Sequence, residues 1–115
     1  MSDNKHESKQ PFSTTITIDD QKILDALETG GWGYWGFFED GSPQWAELMN
    51  DGKSVRIGEI GGGEIVLDRA AIQRGIAAMV TEELDRLVEI IHEECDGETC
   101  DVLVQYACFG EVRYS

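Results

Sequence analysis

A chain of 115 residues fits one ordinary domain, long enough to bury a core without disulfides or metal. Its 41% hydrophobic and 28% charged residues match globular usage and exclude an acidic disordered chain. A net charge of −14 opposes contact with nucleic acid and with anionic membranes, so the expected direct partner is a basic protein.

The N-terminal stretch MSDNKHESKQ lacks the apolar segment of a secretory signal, and no apolar run approaches the roughly 18 residues that span a bilayer. Three cysteines, an odd number, suit a reducing compartment better than a closed disulfide framework. A soluble protein of the cytoplasm is expected. Residues 1–13 are polar and without apolar period, and read as a flexible tail ahead of a single α+β domain over 14–115.

In chain order, the β-branched run Thr14-Thr-Ile-Thr-Ile18 predicts a short edge strand. Asp19 or Asp20 then caps a helix carrying Ile23, Leu24 and Leu27, which should end at Gly30 or Gly31. Trp32 to Glu39, rich in aromatics, reads as a strand with Tyr34 and Phe38 on one face and Trp35 and Phe37 on the other. Trp45 to Met49 is a short strand or one helical turn. Asn50-Asp-Gly52 is a turn signal, and Ser54 to Ile60 with Glu64 to Leu67 predicts a hairpin closed by a loose glycine loop.

From Asp68 the period becomes helical, with Ile72, Ile76, Met79 and Val80 recurring on one side. Gly75 inside that helix points to a close packing contact. Thr81 is the expected cap of a further helix with Leu84, Leu87, Val88, Ile91 and Cys95 as its apolar stripe, broken at Asp96-Gly97. Thr99 to Phe109 carries both strand and helix signals and is read as helix, with Glu111 to Tyr114 as a terminal strand. The sum is a small, mostly antiparallel sheet packed against three or four helices.

Two groups of residues, Ala26-Leu-Glu-x-Gly with Tyr34-Trp35, and Asp101-Val-x-Val-Gln with Phe109-Gly-Glu-Val-x-Tyr114, open and close the folded part of the chain. On them the chain resembles small uncharacterised proteins encoded by tailed bacteriophages and prophages. The resemblance covers roughly residues 16 to 114 and implies a viral origin, action in the host bacterial cytoplasm and a mixed α/β fold. It supplies no reaction and no catalytic residue.

No residue set specifies a reaction. His92, Cys95, Cys100 and Cys108 come nearest to a zinc set, yet their spacing matches no familiar zinc module, and buried free cysteines pack as small hydrophobes. Gly58-Glu-Ile-Gly-Gly-Gly63 is followed by a short apolar run in place of the helix of a phosphate loop, and Glu59 and Glu64 flank it with charge of the wrong sign. Asp96-x-Glu98 fails as a calcium loop because Ala107 stands where the twelfth-position glutamate belongs. The two histidines, His6 in the expected tail and His92, offer no base beside an activated nucleophile. A non-enzyme without metal or cofactor is expected.

Binding residues are expected in two places. Glu82, Glu83, Asp85, Glu89 and Glu93 would form an acidic helix face able to imitate duplex phosphates and meet the lysines and arginines of a nucleic-acid-handling host protein, such as a nuclease or a CRISPR complex. The aromatic region, with Trp35 and Phe37 foremost, would add contacts to a partner or to a second copy of the chain. The alternative function is therefore a self-associating structural or morphogenetic phage protein.

Overall fold

The computed structural model describes Phe12 and residues 15–115, so the expected tail over 1–13 lies, Phe12 apart, outside the described residues. Among the described residues there are four α-helices and three strands. They are α1 (Asp20–Glu28), β1 (Gly36–Phe38), β2 (Ser54–Glu59), β3 (Glu64–Asp68), α2 (Arg69–Glu82), α3 (Leu84–Ile91) and α4 (Gly97–Phe109), with a 3₁₀ turn at Trp45–Met49. The fold is α+β. None of these helices is long and apolar enough to cross a membrane.

The sheet is antiparallel in the order β1-β2-β3, with Phe37 opposite Gly58 and Ile57 opposite Ile65. Alternation along β2 sends Val55 and Ile57 into the core beside Leu67 of β3, and leaves Ser54 and Arg56 outside. Among the described residues one face of the sheet is thus covered and the other is open.

Helix α2 begins where expected: Asp68 is extended and its carboxylate accepts from the Ala71 N–H at 2.9 Å. Gly75 lets α2 lie directly on α4, since a Cβ there would fall 2.8 Å from the Ala107 nitrogen. Helix α4 buries nearly its whole length, including Cys100, Leu103, Val104 and Gln105. It is the central element.

Four expectations are corrected. Of the strand expected over Thr14 to Ile18, Thr14 lies outside the described residues and residues 15–18 form no strand; extended Asp19 follows, and its carbonyl accepts the first α1 bonds from Lys22 and Ile23. The strand expected over Trp32 to Glu39 shrinks to its last part because the Trp32 carbonyl accepts from both Trp35 and Gly36, closing a turn. That turn ends the two-residue period, so Trp35 and Phe37 do not share a face. Thr81 caps nothing: α2 runs on to Glu82, and the break falls at Glu83, where ψ of 50° leaves the helical range. Helix α3 stops at Ile91, placing Cys95 in the loop that follows, and Leu84 and Val88 face outward while Leu87 and Ile90 face the core.

The terminal strand is also absent. In its place the buried Gln105 amide accepts from the Arg113 and Tyr114 N–H groups at 2.6 and 2.8 Å, and donates to the Tyr114 carbonyl at 3.0 Å. One side chain thus does what a neighbouring strand would do.

Candidate functional site

Acidic residues heavily outnumber the cations, 23 against 9. Among the described residues five cations are bound within the chain: Lys22 to Glu93, Arg56 to Asp40 and Glu64, Arg69 to Asp20, Arg86 to Glu89 and Glu98, and Arg113 to Glu111. These pairs divide the five expected binding residues into two groups.

Glu89 and Glu93 serve the fold. Glu89 takes Arg86 at 3.3 Å and accepts from the hydroxyl of Thr99, which is fully buried. Arg86 also reaches Glu98 on α4, so this cluster ties α3 to α4. Glu93 stands in the left-handed backbone region (φ 59°) just after α3, with its carboxylate 3.7 Å from Lys22 of α1. Lys22 in turn donates to the Ile91 carbonyl at 2.6 Å, closing the end of α3.

Glu82, Glu83 and Asp85 stand together at the junction of α2 and α3, and no ion pair engages them among the described residues. Glu111 comes to the same region from the C-terminal segment. The Tyr106 hydroxyl reports this gathering, being held above its ordinary value by burial first and then by the carboxylates of Glu83, Glu82 and Glu111. Val80, Leu84 and Val88 reach solvent along the same junction, so the acids border a strip of apolar surface. The expected acidic helix face is therefore a smaller patch spanning two helices and a chain end.

The aromatic region is mostly core. Trp32 meets Trp35, Phe38 and Trp45 edge-on at 5.4 to 5.7 Å. Trp35, 2% exposed, lies parallel to Tyr114 at 5.1 Å and tilted against Phe109 at 5.3 Å. It is corrected from a binding residue to a core residue, since both its faces are occupied. Phe37, 44% exposed, stands on the open face of the sheet.

Sequence reasoning missed a buried polar network. Asp101 accepts from the Trp35 indole N–H at 2.7 Å, the Tyr34 hydroxyl at 2.7 Å and the Gln105 amide at 3.0 Å. Gln105 holds the C-terminal segment, and the Tyr114 hydroxyl donates to Glu59 at 2.5 Å. Tyr34, Trp35, Asp101, Gln105 and Tyr114 all belong to the two residue groups that open and close the folded part of the chain. Their joint role here is to tie the turn before β1, helix α4 and the chain end together.

This network and two thiols make the fold sensitive to alkali. Burial of the hydroxyl, then its bond to Asp101, pushes Tyr34 up to about 12, while burial pushes Cys100 and Cys108 up to about 12. Each group holds its proton more tightly folded than unfolded. Its contribution is therefore intact below the unfolded value and lost as pH rises through the folded one. Urea midpoints should fall from about pH 9, where unfolded thiols ionise. A Tyr34→Phe variant should follow the parent up to about pH 10 and then fall less steeply. Parallel curves above pH 10 would refute the Tyr34 contribution.

The four residues of the candidate zinc set are not gathered. His92 is exposed, Cys100 is buried with its thiol 3.4 Å from the Leu27 carbonyl, and no group of three or more metal-ligating side chains with suitable geometry occurs among the described residues. The glycine loop is a hairpin turn in which the Glu59 N–H donates to the Gly63 carbonyl at 3.0 Å. No family model, curated protein or solved structure matches the chain.

Proposed function

We propose that the chain is a non-catalytic binding protein that docks on a basic protein surface through the junction of α2 and α3. The observation that carries this reading is that Glu82, Glu83 and Asp85 enter no ion pair among the described residues and stand beside exposed Leu84 and Val88. A like-charged nucleic acid or membrane is repelled there, and a lysine- and arginine-rich groove is attracted. The resemblance to small phage proteins supports a nucleic-acid-handling protein of the bacterial host as the target, with inhibition following from occupation of its groove. Self-association through the aromatic region would have to use Phe37 and Tyr34, because Trp32, Trp35 and Trp45 are buried.

Charge reversal tests the proposal. In low salt, the chain should retain a basic nucleic-acid-handling protein from bacterial lysate, and the triple variant Glu82→Lys, Glu83→Lys, Asp85→Lys should not. Reversing Glu28, Glu47 and Asp51 changes net charge by the same amount elsewhere on the surface. Its association rate with the captured protein should exceed that of the junction variant by about tenfold or more at low salt. Equal losses in the two variants would reduce the effect to net charge and refute the site.

A further inference from the structure

The sheet leaves a second surface unexplained. Val55 and Ile57 of β2 and Leu67 of β3 are buried in the core, whereas the residues on the opposite side are exposed: Phe37 on β1, Arg56 on β2, and Glu64 and Val66 on β3. Val66 is 61% exposed, and Ile60 in the loop after β2 is 62% exposed. Phe37 does not hang freely. Its ring lies over Gly58, where a Cβ would fall 2.4 Å from the ring tip, and the Glu39 carboxylate reaches the same point at 2.9 Å. Glycine at 58 is what gives the aromatic ring a flat seat on the sheet.

The charges of this face are as unbalanced as those of the whole chain. Among the described strand residues of this face Arg56 is the one cation; it bonds Asp40 at 2.7 Å, lies 3.7 Å from Glu64, and is also influenced by Glu39. Three carboxylates around one guanidinium leave an excess of negative charge beside the exposed aromatic and aliphatic side chains. A second copy laid face to face would bring those acids against their own kind, each pair of faces having only two guanidiniums already engaged by carboxylates.

We infer that the open face of the sheet is a docking surface for an extended cationic segment of a partner protein, seating aliphatic side chains over Phe37 and Val66 and lysines or arginines against Glu39, Asp40 and Glu64. Its chemistry is that of an extended segment whose basic and aliphatic residues stand on the same face, taking turns at every second position. The aromatic anchor supplies contact area, and the acids select the sign of charge. This inference rests on the basic-partner reading for the charge of the partner and places a second contact away from the α2–α3 junction.

The probe is a synthetic peptide repeating Lys-Ser-Val-Ser, blocked at both ends, so that lysine and valine share one face when extended, with a Glu-Ser-Val-Ser repeat as control. Amide shifts on the labelled full chain should move along Phe37 to Glu39, Arg56 to Ile60 and Glu64 to Val66 with the lysine peptide only. Phe37→Ser, which removes a side chain outside the core, should weaken binding at least tenfold with circular dichroism unchanged. Arg56→Gln should tighten it severalfold, because it frees Asp40 and Glu64; a merely structural arginine would move affinity the other way. Shifts confined to Glu82, Glu83 and Asp85 would overturn this inference while leaving the junction reading intact. Binding of the control peptide, no binding of the lysine peptide, or dimerisation abolished by Phe37→Ser would each overturn it as well.

Discussion

Asp101→Ala should be the most damaging single substitution in the polar interior, lowering stability by about 3 to 5 kcal/mol, read as a shift of the urea midpoint. The carboxylate is buried and accepts from three donors, the Trp35 indole, the Tyr34 hydroxyl and the Gln105 amide. Alanine removes the charge-assisted bonds and leaves the buried indole N–H without an acceptor, a penalty of about 1 to 3 kcal/mol by itself. The loss should spread beyond the site. Gln105 would give up one of its anchors, and with it the fixed geometry that holds Arg113 and Tyr114, so amides of the C-terminal segment should exchange faster. Asp101→Asn retains one acceptor oxygen and should lose less than alanine. Equal stability of the parent and the alanine variant would show that the network adds nothing.

Much of the architecture was legible because local signals and tertiary packing agreed. Asp68 is both a favourable cap and the last residue of a strand, and its side chain makes the expected bond to Ala71. Asn50-Asp-Gly52 turns the chain into β2, with Gly52 at a φ of 82°. The hairpin over Ser54 to Asp68 follows from two β-branched runs on either side of three glycines. Helix over Thr99 to Phe109 had to be chosen against the strand propensity of Val102, Val104 and Tyr106; burial on nearly all sides overrode that propensity.

What was not legible depends on partners far away in sequence. A glutamine within a helix does not announce that its amide will replace a strand for residues eight and nine positions later. The turn that swings Trp35 inward exists because α4 offers Asp101 to the indole, 66 residues away. The same limit governs the charged surface. Counting acids shows the excess, but Glu93 is distinguished from Glu83 only by the approach of Lys22 from α1, and Glu89 from Asp85 only by the neighbouring Arg86 and the buried Thr99. Nearby acids on one stretch of chain thus divide into fold-holding and outward-facing groups.

Gly75→Ala should destabilise the protein although it improves helix propensity, and the sign comes from which atoms stand in the way. In an isolated helix the change is favourable by about 1 kcal/mol. Here the added methyl would lie 2.8 Å from the Ala107 nitrogen and 2.9 Å from the Tyr106 carbonyl carbon, both backbone atoms of the buried helix α4. A flexible side chain could swing aside, but these atoms move only if α2 and α4 separate along their contact. Overpacking of this kind costs about 1 to 3 kcal/mol, and the backbone contact places it toward the upper end. The net loss expected is about 1 to 2 kcal/mol, several degrees in melting temperature for a domain of this size. Gly75→Val, larger and β-branched, should fold poorly or not at all. A rise in melting temperature for the alanine variant would mean that the two helices have slack at their crossing, and the close approach of α2 to α4 would no longer account for the glycine.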